Sequence, residues 1–340
     1  MSYKIVNTYA LPETDFGESL LGSMDVEVVN GIWQTEDEII SQARDADAII
    51  ACAPLQPFNR RVWESLARCR IVASFSVGFD MTDTEAATDC GIVFTNNPDY
   101  CIDEVSGRAL SLMLALGHKI IQIDKAVREK PFTPVDRETI REVAYPIFRM
   151  RDQTLGIVGL GRIGTATALK ARGLGMRVIA YDPYVLEAVM KSLGVTPVDL
   201  DTLLRESDFI SLHTPLTAET QDMFGSDEFN KMKSTCYFVN TARGRCVEQT
   251  ALIKALQAGL IAGVGLDVTA DEPIARDNPL LKMPNVILTG HTAGYSVSAE
   301  QELFTRPMTQ VIMALKGEWP VLAVNTEVRR KWLDRWGHKA

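Results

Sequence analysis

The chain has 340 residues, with 35 basic and 44 acidic side chains and a formal net charge of −9 at pH 7. This length exceeds what one hydrophobic core usually organises, so we expect two domains. The acidic balance predicts no binding to nucleic acid, and no apolar run reaches the roughly 20 residues that cross a membrane. The six cysteines form no C-x-x-C pair, which favours reduced thiols in a soluble, cytoplasmic protein.

Short apolar strands alternate with helical stretches in the N-terminal third of the chain. Helical periodicity lies between the strands, for example at Glu36–Ala43 and Arg60–Ala67. Such alternation is typical of a parallel sheet covered by helices. The predicted strands are Lys4–Ala10, Val26–Val29, Ala48–Ala53, Ile71–Ser76 and Ile92–Thr95.

A long, mostly apolar stretch follows this first series. Glu104–Val127 predicts a helical stretch that lies between this series and a second series of strands and crosses from one unit to the other. The next segment, Arg128–Arg151, is rich in Pro, Arg and Glu and lacks a clear period. We expect it to form an extended surface arm, and because such arms often contact a second subunit, we expect a homodimer.

The second series of strands begins at Leu155, and its later members are Arg177–Asp182, Phe209–His213, Tyr237–Thr241, Val264–Val268 and Val286–Thr289. Glu300–Leu315 is helical again, and Lys316–Ala340 is expected to return to the N-terminal series. The fold class predicted is α/β, with two doubly wound parallel-sheet domains of the Rossmann or flavodoxin type. We assign residues 1–103 plus 300–340 to one domain and residues 104–299 to the other.

A glycine-rich turn at 154–164, Thr-Leu-Gly-Ile-Val-Gly-Leu-Gly-Arg-Ile-Gly, combines a strand with a G-x-G-x-x-G motif that opens a helix. Gly159 permits the tight turn, Gly161 lets the backbone approach a pyrophosphate, and Gly164 allows the helix to pack on the sheet. Asp182 ends the next strand, where it can bind a ribose diol and would repel a ribose 2′-phosphate. The segment therefore predicts a dinucleotide site that prefers NAD to NADP.

Polar side chains also follow three later strands. Arg243 lies in an Asn-Thr-Ala-Arg-Gly run, Asp267 in Gly-Leu-Asp-Val, and His291 in Thr-Gly-His-Thr. The carboxyl ends of parallel strands face the ligand crevice of such a sheet. We therefore expect the three side chains to converge on one cofactor.

With these motifs in order along nearly the whole chain, the sequence resembles the D-isomer-specific 2-hydroxyacid dehydrogenases, in the branch of the C-terminal-binding proteins and phosphoglycerate dehydrogenases. The motifs that carry the resemblance are Ser-Val-Gly-Phe-Asp at 76–80, the glycine turn, His-Thr-Pro at 213–215, the Asn-Thr-Ala-Arg-Gly run, Asp267, Glu-Pro at 272–273 and the histidine segment at 289–294. The resemblance implies an NAD-dependent oxidoreductase that exchanges hydride with a small 2-oxo acid, such as glyoxylate or hydroxypyruvate. It also implies a substrate domain at 1–103 plus 300–340, an NAD-binding domain at 104–299, and a cleft between them.

The resemblance further implies a catalytic set of Arg243, Glu272 and His291. A guanidinium can bind the substrate carboxylate and polarise its ketone. An imidazolium can give a proton to the developing alkoxide, and a carboxylate paired with the ring would raise its pKa. Substrate binding is expected at Ser76, Val77, Gly78, Arg243 and His291. Cofactor binding is expected at Gly159, Gly161, Arg162, Ile163, Gly164, Asp182, His213, Thr214, Pro215, Thr241, Ala242, Arg243, Asp267, His291 and Gly294.

One alternative function belongs to a different class. The segment at 99–105, Asp-Tyr-Cys-Ile-Asp-Glu-Val, resembles C-terminal-binding proteins, some of which act as NADH-responsive co-repressors on the same scaffold. Such a protein would bind partner peptides and show negligible turnover. Measurement of turnover therefore separates this hypothesis from the dehydrogenase hypothesis.

Other enzymes on this scaffold are less favoured. Formate dehydrogenase-like relatives have glutamine where Glu272 stands. Relatives specialised for phosphoglycerate usually carry a cation near residues 51–53, here Ala-Cys-Ala, although Arg60 or Arg61 could substitute. The four histidines, His118, His213, His291 and His338, show no metal-binding spacing on a helix face, so we predict no metal site.

Overall fold

The computed structural model describes residues 2–133 and 135–337. The strands in chain order are β1 (Tyr3–Asn7), β2 (Val26–Asn30), β3 (Ala48–Ala51), β4 (Ile71–Ser74), β5 (Val93–Thr95), β6 (Thr154–Val158), β7 (Arg177–Tyr181), β8 (Thr196–Pro197), β9 (Phe209–Leu212), β10 (Tyr237–Asn240), β11 (Gly263–Leu266) and β12 (Val286–Leu288).

The helices alternate with these strands. They are α1 (Glu36–Ala43), α2 (Arg60–Ser65), α3 (Thr84–Cys90), α4 (Ile102–Gly117), α5 (Ile120–Glu129), α6 (Arg137–Ala144), α7 (Arg162–Gly173), α8 (Glu187–Ser192), α9 (Leu200–Glu206), α10 (Ser226–Lys231), α11 (Gln249–Gln257), α12 (Val297–Leu315) and α13 (Arg329–Trp336). Within the described ranges, no helix is both long and apolar enough to span a bilayer.

The described residues group into two compact units. The first unit comprises residues up to Tyr100 together with those from Ser296 onward, and the second unit is Cys101–Tyr295. The units therefore divide at 100/101 and 295/296, whereas the predicted domains divide at 103/104 and 299/300. Each structural division falls immediately before the N-cap of a long helix, Cys101 of α4 or Ser296 of α12.

The described part of the first unit contains one sheet of five parallel strands in the order β2-β1-β3-β4-β5. This is a flavodoxin-like order. The central strands β3 and β4 are buried along their whole length, since helices cover both faces. The segment after α12 returns to the edge of this sheet, where the amide of Val324 donates to the carbonyl of Phe94 at 2.9 Å.

In the second unit, among residues 101–133 and 135–295, seven parallel strands have the order β12-β11-β10-β9-β6-β7-β8. Strands β8-β7-β6-β9-β10-β11 follow the doubly wound 3-2-1-4-5-6 order, and β12 extends one edge. The strand order reverses between β6 and β9, and such sheets bind ligands at this switch point. The prediction of two doubly wound parallel sheets is confirmed.

The helical stretch predicted over Glu104–Val127 consists of two helices in the structure. Helix α4 ends at Gly117 and α5 begins at Ile120, because Lys119 adopts a left-handed conformation with φ of 53°. A Cβ at Gly117 would lie 2.8 Å from the ring of Phe209, so glycine at this position allows the end of α4 to pack closely against that ring. Apolar residues flank the break on both sides, which is why the sequence pattern conceals it.

The prediction of an extended surface arm over Arg128–Arg151 is wrong in part. Helix α6 lies within it, and its N-cap Asp136 accepts hydrogen bonds from the amide and hydroxyl of Thr139 at 3.2 and 2.9 Å. Eight residues are too few for a clear hydrophobic period, so the helix depends on its cap.

Candidate active site

The glycine turn after β6 is shaped by backbone requirements. Gly159 has φ of +90°, a conformation that favours glycine. A Cβ at Gly164 would lie 2.1 Å from the carbonyl oxygen of Gly159, so only glycine lets α7 pack against the turn. A Cβ at Gly161 would meet no described atom within 4 Å beyond its chain neighbours, so the space beside it is open. Helix α7 begins at Arg162, followed by Ile163, and no side chain among the described residues caps its first turn.

Asp182 follows β7 and stabilises the glycine turn through a hydrogen bond. Its Oδ2 accepts a hydrogen bond from the amide of Leu160 at 2.7 Å, and its Oδ1 accepts one from the amide of Tyr184 at 2.9 Å. A carboxylate has further acceptor capacity, which a ribose diol can use. The open space, the uncapped helix start and this carboxylate therefore fit NAD.

The turn at His213-Thr214-Pro215 lies against the glycine turn. A Cβ at Gly159 would approach the backbone of His213 to 2.9 Å. The Nε2 atom of His213 is 2.9 Å from the hydroxyl of Ser211, and desolvation lowers the pKa of His213 to about 4. His213 is therefore uncharged near neutral pH and is unsuited to donate a proton.

His291 and Glu272 form a hydrogen-bonded pair in the second unit. The Nδ1 atom of His291 lies 2.6 Å from Oε2 of Glu272, and the amide of Thr269 donates to Oε1 of Glu272 at 3.2 Å. The imidazole and carboxylate side chains are 54% and 40% exposed, so solvent and small molecules can reach them.

The contact between His291 and Glu272 shifts the pKa of both groups. The hydrogen bond to Glu272 raises the pKa of His291, although partial desolvation opposes the shift. Partial burial alone would raise the pKa of Glu272, but the hydrogen bond from His291, the charges of His291 and Arg243 and the amide of Thr269 outweigh it, so its pKa lies below its usual value. The geometry therefore favours an imidazolium beside a carboxylate.

Asp267 organises the loop that carries His291. It is almost fully buried, and its Oδ1 accepts hydrogen bonds from the hydroxyl of Thr289 at 2.5 Å and the amide of Thr292 at 3.1 Å. Its Oδ2 accepts a bond from the amide of Ala293 at 3.0 Å, immediately before Gly294. His291 itself has φ of 58°, a left-handed conformation that this network maintains. The sequence indicated a polar strand end at Asp267 but not this role.

Arg243 lies in a turn that the side chain of Asn240 folds. The Nδ2 atom of Asn240 donates to the carbonyl of Arg243 at 2.9 Å, and its Oδ1 accepts from the amide of Ala242 at 2.9 Å. A guanidinium N–H of Arg243 donates to the carbonyl of Ala242 at 2.8 Å. Asn240 was not among the residues predicted from the sequence, although an Asn that ends a strand before a turn is a recognisable signal.

Arg243, Glu272 and His291 belong to one electrostatic neighbourhood. The positive charge of Arg243 lowers the pKa of both other groups. A Cβ at Gly244 would lie 1.9 Å from the carbonyl oxygen of Thr269, so the turn that follows Arg243 touches the loop that leads to Glu272. The structure thus brings together the three predicted catalytic side chains.

A buried hydroxyl near this neighbourhood has no hydrogen-bond partner in the described part of the protein. Thr241 follows β10, is 8% exposed, and its Oγ1 forms no hydrogen bond within the described residues. Buried polar atoms usually have a partner, so this atom supports the binding of a polar ligand at the end of β10.

The remaining predicted residues are elsewhere or carry no ligand geometry. Ser76, Val77 and Gly78 lie in the first unit, in the loop after β4. His118 is the C-cap of α4, and His338 lies outside the described residues. In the part of the chain that the structure describes, no three His, Cys, Asp or Glu side chains are grouped to hold a metal ion.

Comparisons with known proteins connect the chain with one family. The family model of the D-isomer specific 2-hydroxyacid dehydrogenase NAD binding domain matches residues 110–293. A glyoxylate reductase of Korarchaeum cryptofilum is 41% identical over 290 residues, which cover 85% of this chain and 86% of that protein.

Solved structures are similar over most of the chain. A glyoxylate reductase from Paecilomyes thermophila has a TM-score of 0.82 at 26% identity and covers 96% of this chain and 99% of its own. The NAD-complexed D-isomer specific 2-hydroxyacid dehydrogenase of Lactobacillus delbrueckii ssp. bulgaricus has a TM-score of 0.76 at 27% identity, with 94% and 99% covered.

The chain therefore belongs to the D-isomer-specific 2-hydroxyacid dehydrogenase family. It is an NAD-dependent oxidoreductase that acts on the CH–OH group of 2-hydroxy acids, and the predictions of family, enzyme class and cofactor are confirmed.

Proposed function

We propose that this enzyme reduces glyoxylate, or a closely related small 2-oxo acid such as hydroxypyruvate, in a reversible reaction with NADH. The hydrogen bond of 2.6 Å between His291 and Glu272 carries the proposal, because it provides an acid and base of the kind that this reaction needs. The 41% identity to a glyoxylate reductase supports the choice of substrate.

His291 is the proposed proton donor in reduction and acceptor in oxidation. Bound NADH supplies the hydride in reduction. Glu272 engages Nδ1 of the ring, which leaves Nε2 for the substrate oxygen. The hydrogen bond to Glu272 raises the pKa of His291, which favours the protonated ring that can release its proton to the developing alkoxide.

Arg243 is the proposed substrate clamp. Its guanidinium offers several N–H donors in one plane, which match a carboxylate and a neighbouring ketone. We also propose Ser76, Val77 and Gly78 as substrate-binding residues, which makes the first unit the substrate domain. The second unit is then the NAD-binding domain.

The proposed cofactor contacts are those predicted from the sequence. The open space at Gly161, the acceptor capacity of Asp182 and the unpartnered hydroxyl of Thr241 support them. The full set is Gly159, Gly161, Arg162, Ile163, Gly164, Asp182, His213, Thr214, Pro215, Thr241, Ala242, Arg243, Asp267, His291 and Gly294.

Ion pairs disfavour a phosphorylated substrate. Arg60 lies 2.9 Å from Asp89, and Arg61 lies 3.1 Å from Glu36 and 2.5 Å from Asp37. Both side chains that could bind a substrate phosphate therefore already have carboxylate partners. This supports glyoxylate or hydroxypyruvate over a phosphoglycerate-type substrate.

A homodimer is the proposed assembly. None of the residues of α5 and α6 is buried, although both helices are amphipathic. Apolar side chains on and beside these helices are exposed, namely Ile121, Val135, Tyr145 and Phe148. Such a surface supports contact with a second copy.

Light scattering tests this assembly. We expect the wild type to be a dimer and Tyr145→Asp to be a monomer; a monomeric wild type would refute the assembly.

The assay that tests the function follows NADH oxidation with a panel of 2-oxo acids. We expect the highest kcat/KM with glyoxylate or hydroxypyruvate and a much lower value with phosphohydroxypyruvate. The proposal fails if no 2-oxo acid in the panel supports turnover. We also propose a cytoplasmic location, which fractionation of cells with the same assay would test.

A further inference from the structure

Three consecutive carbonyl groups in the loop after β4 are held by the first unit itself. The carbonyl of Ser76 accepts a hydrogen bond from the amide of Asn97 at 2.8 Å. The carbonyl of Val77 accepts one from Nδ2 of Asn96 at 2.7 Å, and that of Gly78 accepts one from Oγ of Ser76 at 2.7 Å.

These bonds determine where the neighbouring amides point. In a trans peptide the N–H of one residue is directed opposite to the C=O of the preceding residue. The amides of Val77, Gly78 and Phe79 therefore point away from the groups that hold the carbonyls. Within the described residues, none of these amides donates a hydrogen bond to a protein acceptor, and all three residues are half-buried. Successive amides of this kind bind anions.

A chain of buried hydroxyls orients the last of these peptides. The amide of Ala53 donates to Oγ of Ser74 at 3.1 Å, and Oγ of Ser74 lies 2.7 Å from Oγ of Ser76. Each hydroxyl has one proton. The hydroxyl of Ser76 donates its one hydrogen bond to the carbonyl of Gly78. It must therefore accept a hydrogen bond from the hydroxyl of Ser74, which itself accepts one from the amide of Ala53. The chain therefore has one direction, and burial strengthens such directed bonds.

We propose that Ser74 and Asn96 are positioning residues for substrate recognition. Through Ser76, Ser74 orients the amide of Phe79, and Asn96 orients the amide of Gly78. With the amide of Val77, these bind the planar carboxylate of a 2-oxo acid, although neither the Ser74 nor the Asn96 side chain touches the substrate itself. The inference rests on the proposed function, because it concerns the same substrate. It extends that function by naming the buried side chains through which the enzyme selects substrates that carry a carboxylate.

Steady-state kinetics of the full-length enzyme test the inference. In Ser74→Ala and in Asn96→Ala, we expect KM for glyoxylate to rise about fivefold to tenfold, as is typical for loss of one orienting hydrogen bond. We expect kcat and KM for NADH to stay within about twofold, because the carboxylate is bound equally in the ground and transition states.

Ser65→Ala provides a matched control. Ser65 also donates to a backbone carbonyl, that of Val62 at 2.7 Å, and lies in the first unit on α2. It has no part in the hydroxyl chain, so KM for glyoxylate should not change. A rise equal to that of Ser74→Ala would show a general effect of serine removal and would refute the inference.

A double-mutant cycle distinguishes one directed chain from separate structural roles. Because Ser74 acts only through Ser76, Ser74→Ala combined with Ser76→Ala should raise KM no more than Ser76→Ala alone. Additive effects would overturn the inference. If Ser74→Ala fails to fold, Asn96→Ala still tests the inference. Nicotinamide fluorescence of the NADH-loaded variant measures its affinity for oxamate, and an unchanged affinity would overturn the inference.

Failure of this inference and failure of the proposed function give different results. A wild-type enzyme that is inactive with every 2-oxo acid refutes the proposed function. An active wild-type enzyme whose KM for glyoxylate is unchanged in Ser74→Ala and Asn96→Ala refutes only the positioning roles.

Discussion

The pair of Glu272 and His291 in the second unit and the loop at Ser76–Gly78 in the first unit use opposite kinds of chemistry. The pair is ionisable and exposed, and its ring lies on a left-handed backbone. The loop offers uncharged backbone amides that buried hydroxyl and amide side chains hold in place. Proton transfer needs groups that titrate, whereas recognition of a fixed carboxylate needs groups that do not move.

The largest effect is expected at Arg243, the proposed clamp beside the ionisable pair. Arg243→Ala should lower kcat/KM for glyoxylate by about a thousandfold to ten-thousandfold, because the substrate loses both orientation and polarisation. Arg245→Ala is the matched control, since Arg245 is an exposed arginine two residues away. Comparable losses in the two variants would refute the assignment to Arg243.

The next effect tests the proton donor. His291→Asn should lower kcat by about a hundredfold to a thousandfold, because asparagine cannot donate the proton. Asparagine tolerates the left-handed conformation of this position, so the loop should keep its shape. Near-wild-type kcat in a folded His291→Asn enzyme would exclude His291 as the acid.

Glu272→Gln alters the titration of the pair without removing its ring. A proton donor must be protonated, so the rate of reduction falls as pH rises through the pKa of His291. Glu272 raises that pKa, and its neutral replacement should move the fall to lower pH and reduce the rate at neutral pH by about tenfold.

Asp271→Asn is the control for this profile, because Asp271 is the neighbouring exposed carboxylate. It should leave the pH dependence of the rate unchanged. A shift in Asp271→Asn without one in Glu272→Gln would reassign the partner of His291.

The last prediction concerns the choice of cofactor. Asp182→Asn keeps an acceptor for the amide of Leu160 but removes the charge that repels a ribose 2′-phosphate. The preference for NADH over NADPH, measured as a ratio of kcat/KM values, should fall by about tenfold. Asp199→Asn, at the N-cap of α9, should leave the ratio unchanged. An unchanged ratio in Asp182→Asn would contradict its role.

The two regions also differ in how far the sequence predicts them. Charged and imidazole side chains at strand ends are conspicuous, so Arg243 and His291 could be proposed before their geometry was known. Glu272 was proposed only because the family resemblance implies it. Ser74 and Asn96 could not, because a buried serine that orients a peptide has the same sequence pattern as a serine in a core. Their role depends on contacts between separate strands.

The same limit applies to the fold. Buried strands and the glycine turn have strong local patterns, and both sheets follow from them. The break at Lys119 depends on a left-handed residue, and α6 depends on the Asp136 cap, so neither appears in hydrophobic periodicity. The two-residue strand β8 is too short to be predicted from any pattern.

The most direct test of the central claim is an NMR titration of His291 in the wild type and in Glu272→Gln. We predict a wild-type pKa above the ordinary value for histidine and a clearly lower pKa in the variant, because the hydrogen-bonded carboxylate stabilises the imidazolium. Equal pKa values in the two proteins would contradict the claim that Glu272 keeps His291 protonated for catalysis.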